Sequence, residues 1–343
     1  MTPRERLFAR LNGAPVDRAP NLSILMMFAA RYLGQPFDVF CRDYRVLVAA
    51  NLRCNEVFGI DLLSTMSDAY RETFDYGAQV DFPADSLPLS TEPLLRDIAD
   101  LAKLRPFDPW ESTRILDRIH AIELYKTEAG QTYPILGWVE GPIAEMADLR
   151  GLSQTLEDFY LEPAFVEDVF ARCTEQAISC ALAQTLAGAD IIGIGDAAAS
   201  IISPEQYRAK VLPFEQQLVA AIHDAGAKVK LHICGDITHL LDDVWRTGAD
   251  IIDVDWMVDI PTALARWPES VVVNGNFDPV AVMLQGTPDD VRRAARRNLS
   301  EGGDRLCVSP GCEVPRDTPY ENLLALRDAL ESAETGFLRE DQR

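Results

Sequence analysis

Lys228-Val229-Lys230-Leu231-His232-Ile233-Cys234-Gly235-Asp236 is a short β-rich run that ends in a glycine-marked polar turn. Ahead of it, Ser203-Pro204-Glu205 has the form of a helix start, and the amphipathic stretch that follows ends near Ala225, where Gly226 stops it. Helix, glycine, strand, polar turn is the unit from which parallel sheets are built. The same rhythm continues in both directions. Seven further runs can be read: Pro20–Met27, Ile60–Thr65, Tyr133–Val139, Ala189–Ile194, Ile251–Trp256, Val271–Asn274 and Arg305–Val308. Ile191-Ile192 and Val271-Val272-Val273 are continuously apolar, as in strands covered on both faces.

Helical stretches alternate with these runs. Thr2-Pro3-Arg4-Glu5 reads as a capped start, Asp38–Val57 as one long helix, and Leu152–Leu186 as one long helix or two in succession. Pro261-Thr262, Thr287-Pro288-Asp289-Asp290 and Pro319-Tyr320-Glu321 open three more. Eight strand–helix repeats predict an α/β fold, a (β/α)8 TIM barrel, as one domain over residues 1–343. Ser67–Thr132 breaks the rhythm with Pro83, Pro88, Pro93, Pro106 and Pro109, and is expected to form loops and short helices inserted after the second strand. An open doubly wound sheet is the alternative, but no GxGxxG follows the first run, so a dinucleotide site has no support.

Composition narrows the function. The 343 residues include 54 acidic and 32 basic side chains, a net charge of −22. That argues against nucleic acid and against anionic membranes as partners. No apolar run is long enough for a membrane helix, and the N-terminus lacks a signal-peptide core, so a cytoplasmic location is expected. Seven cysteines then imply no disulfide framework. Cys41, Cys54, Cys173 and Cys180 fall on expected helices and Cys307 inside a strand, all as packing residues. His120 and His223 are expected on helix surfaces, and His239 on the helix after the fifth run.

In a barrel the chemistry collects at the carboxyl ends of the strands. There the sequence places Asp68, Glu140, Asp196, Asp255, Asn276 and Cys312. His232 and Cys234 are two apart on one run, so both face the same side. Imidazole and thiolate are zinc-type ligands, and Cys312 can supply a third, leaving one position open as in catalytic sites. A His-x-Cys pair alone is more often half-buried packing; the third strand-end thiol strengthens the metal reading. Strand-end aspartates also commonly cap helices, and Glu140 before Gly141-Pro142 can equally brace a turn.

At these positions the chain resembles the uroporphyrinogen decarboxylase superfamily over essentially its whole length. Arg31-Tyr32-Leu33, Ser67-Asp68, Gly141-Pro142, the eighth-strand glycine and Thr318-Pro319-Tyr320-Glu321-Asn322 carry the likeness. The superfamily includes porphyrin-pathway decarboxylases and zinc-dependent methyltransferases that work with corrinoid proteins, among them methylcobamide:coenzyme M methyltransferases and O-demethylase methyltransferases. The decarboxylase pattern has two arginines near the first strand, where this chain has Met27 and keeps only Arg31. It has a tyrosine where this chain has Asp148, and a histidine where this chain has Cys312. Leu231-His232-Ile233-Cys234-Gly235-Asp236 and Pro310-Gly311-Cys312 match the methyltransferase zinc motif.

The resemblance therefore implies a methyltransferase with His232, Cys234 and Cys312 as zinc ligands. A corrinoid would arrive on a partner protein, since the chain lacks an Asp-x-His-x-x-Gly cobalamin motif. The small substrate would be a thiol or a methoxy-type methyl donor. Asp196, Asp255 and Glu140 are the expected catalytic groups, and Arg31, Asp68 and Asn276 the expected substrate-binding ones. Asp236 is expected to brace a ligand. The competing enzyme is a metal-free carboxy-lyase using Arg31 and Asp68; a non-enzymatic corrinoid or porphyrin carrier is a third class. A homodimer is compatible with the sequence, which leaves the oligomeric state open.

Overall fold

The computed structural model describes the backbone of residues 1–340 and the side chains of residues 1–332. Seven parallel strands form one sheet in the order β1, β4, β5, β6, β7, β8, β9. They are β1 (Leu63–Ser64), β4 (Ile135–Glu140), β5 (Ile191–Gly195), β6 (Lys228–His232), β7 (Ile251–Asp253), β8 (Val272–Phe277) and β9 (Leu306–Pro310). The intervening β2 (Gln79–Asp81) and β3 (Leu89–Glu92) make a separate antiparallel hairpin. Seven of the eight expected runs are therefore strands.

The first run, Pro20–Met27, is the exception. Val308 donates its N–H to Pro20 O and accepts the N–H of Leu22, while Asp61 N–H bonds Asn21 O. Pro20–Leu22 thus touches both edges of the sheet, yet it forms one isolated bridge, Asn21 to Val308. The reason is local. Pro20 has no N–H, the Asn21 N–H is taken by the Asp61 carboxylate at 2.7 Å, and Asn21 Oδ1 accepts from both the N–H and the hydroxyl of Ser23. The Asn21 side chain bends the chain before a ladder can extend. Met27 already belongs to the helix Met27–Leu33.

Two helical stretches differ from expectation, and the open choice at Leu152–Leu186 is decided. Asp38–Val57 is divided into Phe37–Arg42 and Tyr44–Phe58, because Asp43 leaves the helical conformation and its carboxylate caps the second helix at the Arg45 N–H. Leu152–Leu186 is two helices, Leu152–Leu161 and Pro163–Ala187, with Pro163 opening the second. The inserted stretch holds a 15-residue helix, Arg114–Glu128, besides its loops and short turns. Thr2 and Thr287 close capping boxes at their helices as their sequences predict. None of the helices among the described residues is long and apolar enough to cross a membrane.

Side chains two apart on each strand face the sheet interior and stack in layers. Leu136, Ile191, Ile251, Val272 and Cys307 form an apolar floor with Leu7 from the first helix. Above it lies the indole of Trp138, 2% exposed. It has room because β5 carries glycines: a Cβ on Gly193 would lie 2.2 Å from Trp138 Cε3, and one on Gly195 2.8 Å from Glu140 Oε2. Register then aligns Glu140, Gly195, His232, Asp253 and Asn274 side by side on successive strands. Four polar groups from four strands meet at one level because the pairing puts them there.

Gly193→Ala should force that indole aside. We expect a loss of about 1–3 kcal/mol, typical of overpacking, seen as a lower urea midpoint with an unchanged slope.

Candidate metal centre and cavity

The sheet brings the three expected ligands together. His232 ends β6, and Cys234 follows in a turn made possible by Gly235 at φ +92°. Cys312 follows β9 through Gly311, where no larger residue fits: a Cβ there would sit 2.5 Å from Asp255 Oδ1. His232 Nε2 lies 2.9 Å from Cys234 Sγ and 3.9 Å from Cys312 Sγ, and the two sulfurs are 3.4 Å apart. Among the described residues these are the three ligand-type side chains whose donor atoms lie within 4.8 Å of one another. Donors about 2.0–2.3 Å from a tetrahedral zinc lie about 3.5–3.8 Å apart. The set therefore fits such an ion once the 2.9 Å contact between His232 and Cys234 opens by about 0.6 Å and the other two distances shift by less.

Charge within the trio is shared unequally. The hydrogen bond from the Cys234 thiol holds Cys312 down at about 4 against the opposing effect of burial, with His232 adding to the effect, and Cys312 in turn pushes Cys234 up. Burial alone would lower His232, but the bond to Asp253 and the neighbouring Cys312 raise it to about 9.

Asp253 is the group that sequence reasoning missed. Its carboxylate accepts from His232 Nδ1 at 2.7 Å, from Asn274 Nδ2 at 2.8 Å and from the buried ammonium of Lys230. Burial would raise its pKa, but Lys230 and His232 hold it at about 2. Binding Nδ1 turns Nε2 toward the sulfurs, the usual arrangement for a histidine that ligates metal. Asp253 faces inward two residues before Asp255, a parity visible in the strand pattern; its pairing with His232 comes from register, which is not.

The other expected site residues divide. Asp255 accepts from the N–H of Gly235 at 2.8 Å and of Trp256 at 2.7 Å, so it anchors the Cys234 turn. Asn276 Nδ2 donates to the carbonyls of Asp255 and Val258 and braces the same loop. Glu140, 5% exposed, accepts from Trp138 Nε1 at 2.8 Å and borders a cavity of about 600 Å3 that Cys234 also borders. Asp196 is not brought to the trio: its carboxylate accepts the Ala144 N–H in the first turn of Pro142–Arg150 and packs against Glu215. Asp68 is paired with Arg114 at 2.6 Å and with Ser67. Arg31 lies beside Asp317 at 3.6 Å and over the Tyr320 ring, at a separate hollow of about 360 Å3 that none of the three ligands borders. Asp236 does not brace a ligand; it is exposed and accepts the Thr238 N–H in a local turn.

A further contact ties the last ligand to the N-terminal region. Glu313, beside Cys312, accepts the Met27 N–H at 2.9 Å and so caps the helix that carries Arg31. The remaining cysteines are buried packing groups, His223 bonds Asp250 at the surface, and the exposed His239 meets the Ile202 carbonyl.

Comparison with known proteins agrees with this architecture. The family described as "Uroporphyrinogen decarboxylase (URO-D)" matches residues 2–333. The methylcobamide:CoM methyltransferase MtbA of Methanosarcina acetivorans is 29% identical over 94% of this chain and 95% of its own. A uroporphyrinogen decarboxylase of Chloroflexus aurantiacus is 27% identical over 96% of each. A methyltransferase from Methanosarcina mazei shares the fold, with a TM-score of 0.89 at 24% identity over 98% of this chain and 99% of its own. The enzyme class expected from the sequence, a methyltransferase, is the class of the two Methanosarcina proteins.

Two outcomes test the buried charges. Asp253→Asn leaves the Lys230 ammonium buried without its counter-charge and should cost about 3–5 kcal/mol in urea unfolding; adding Lys230→Met should restore most of it. Glu215 behaves oppositely to Asp253: burial raises it to about 7 from 4.5. Its protonated form stabilises the fold fully below the unfolded value, and that contribution is lost as pH rises through about 7. Glu215→Gln should therefore flatten the fall in stability between pH 5 and pH 8 by at most about 3 kcal/mol, read from urea midpoints at the two pH values.

The match across residues 2–333 establishes that this chain belongs to the uroporphyrinogen decarboxylase family.

Proposed function

We propose that the chain is a zinc-dependent methyltransferase, moving a methyl group between a corrinoid on a partner protein and a thiol or methoxy-type molecule in the cavity beside Cys234. The observation that carries this reading is the meeting of His232, Cys234 and Cys312 next to that cavity. Methylcobamide:CoM methyltransferases among the relatives support it. In the same reading Pro20–Leu22 is the eighth stave of a closed (β/α)8 barrel, and residues 1–343 form one domain.

His232, Cys234 and Cys312 would hold the zinc, which when bound supplies Lewis acidity toward a donor atom of the substrate. The chain's own residues prepare the site. Asp253 fixes the His232 tautomer and aims Nε2, while Lys230 neutralises Asp253. Asp255 and Asn276 keep the Cys234 turn in place. Glu140 and Asp148 border the cavity, and burial raises both, Asp148 to about 8. Asp148 can exchange a proton with a substrate heteroatom near neutral pH. Asp196 acts as a helix cap. Exposed Leu152 and Ile201 at the cavity rim offer an apolar surface to a carrier. Arg31 and Asp68, the groups expected to hold a pyrrole substrate in a carboxy-lyase, are engaged by Asp317 and Arg114.

The test is metal analysis joined to turnover. Purified protein should carry one zinc per chain, and methylcobalamin with a reactive thiol should show the cobalt absorbance change. Cys312→Ala should lose the zinc and slow transfer by about 100-fold or more. Full turnover by zinc-free protein or by Cys312→Ala overturns the proposal.

A further inference from the structure

We infer that the cavity beside Cys234 selects a small substrate with a protonated amine a few bonds from the heteroatom that gains or loses the methyl group, and that it turns anionic thiols away. The inference rests on the methyltransferase reading above and adds the charge of the substrate.

Among the described residues, the cavity wall contains no lysine, arginine or histidine. Its ionisable side chains are Glu140, Asp148, Tyr70 and Cys234, set among alanines, Leu152 and Ile201. Behind the wall lie Glu72 and Glu145, each 2% exposed. Against these four carboxyls stands Arg118, 3.9 Å from Glu72. The nearby Arg71 and Arg114 are already matched by Asp117 and Asp68. The lining therefore has an excess of acidic groups over guanidinium.

One of those groups points to a ligand by itself. Glu140 is 5% exposed, and its Oε1 accepts from Trp138, but among the described residues no donor reaches its Oε2. A carboxyl oxygen of a buried side chain that opens onto the cavity without a protein donor is a place for a donor from the ligand. Register sets its distance from the sulfurs. Glu140 and His232 flank Gly195 on adjacent strands, two inter-strand spacings or about 10 Å between Cα atoms. The Trp138 indole spans that gap, bonded to Glu140 at one end and 6.1 Å from the His232 ring at the other. A molecule with its heteroatom at the sulfurs reaches Glu140 through a chain of two or three atoms. An ammonium there is a charge-assisted donor to Glu140. A sulfonate or carboxylate would enter among acidic groups with no cation on the cavity wall to meet it. Burial and mutual repulsion already push Glu140 and Asp148 toward their protonated forms, a penalty that a cation relieves and an anion deepens.

The test uses three ligands of equal length that differ in charge: 2-(methylthio)ethylamine, 2-(methylthio)ethanol and 2-(methylthio)ethanesulfonate. Calorimetry on the full-length protein should show the amine binding about tenfold or more tighter than the alcohol, with the sulfonate weakest. Glu140→Gln or Asp148→Asn should narrow the gap between amine and alcohol. Equal or tighter binding of the alcohol or sulfonate overturns the inference, and so does no binding by any of the three. Binding is read without turnover, so its failure is distinguishable from that of the methyltransferase reading. Amine preference without transfer from methylcobalamin sinks only the latter; transfer with an anionic thiol preferred sinks only the former.

Discussion

The carboxylate of Asp253 is the constraint on which the interior depends. It sits on β7 and takes hydrogen bonds from Lys230 and His232 on β6 and Asn274 on β8. An ion removed from water at this depth costs several kcal/mol unless it is matched and fully hydrogen-bonded, and here the ammonium and two further donors match it. The arrangement joins three neighbouring strands through side chains as well as backbone. It also orients an imidazole, so the groups that hold the sheet together are the groups that aim the candidate ligand.

The interior separates charge by location. Around β6 and β7, Asp253 is kept ionised by its cations. Around β4, Glu140, Glu72 and Glu145 lie with too few cations and are driven toward neutrality, chiefly by burial. Trp138 lies between the two regions, with its ring near Lys230 on one side and its N–H on Glu140 on the other. One indole thus divides the strongly charged region of β6 and β7 from a weakly ionised wall. Gly193 and Gly195 leave the space it occupies.

Much of this was legible in the residues. The strand rhythm located seven strands, and the two-residue spacing of His232 and Cys234 with the strand-end Cys312 identified the cluster. What escaped was whatever depends on pairing between distant segments. Asp255 was the more conspicuous strand-end acid, yet register gives His232 to Asp253. Asp68 looked like a substrate ligand because Arg114, which neutralises it, lies 46 residues away. The helix Arg114–Glu128 was hidden by the prolines that precede it, and the break at Asp43 by the continuous amphipathic pattern on both sides. Pro20–Leu22 carries strand-like residues, but the Asn21 side chain competes with the ladder.

Cys234 and Cys312 are separated by 78 residues, and one hydrogen-bonded edge after another must form before they touch. During synthesis the first two donors emerge as neighbours, but the third waits for the last strand of the sheet. Glu313 then fastens that late segment to a helix made near the beginning of the chain. The trio is in this sense a lock thrown only when the ends of the polypeptide have found each other, and loosening β9 would release Cys312 while leaving the other two donors side by side.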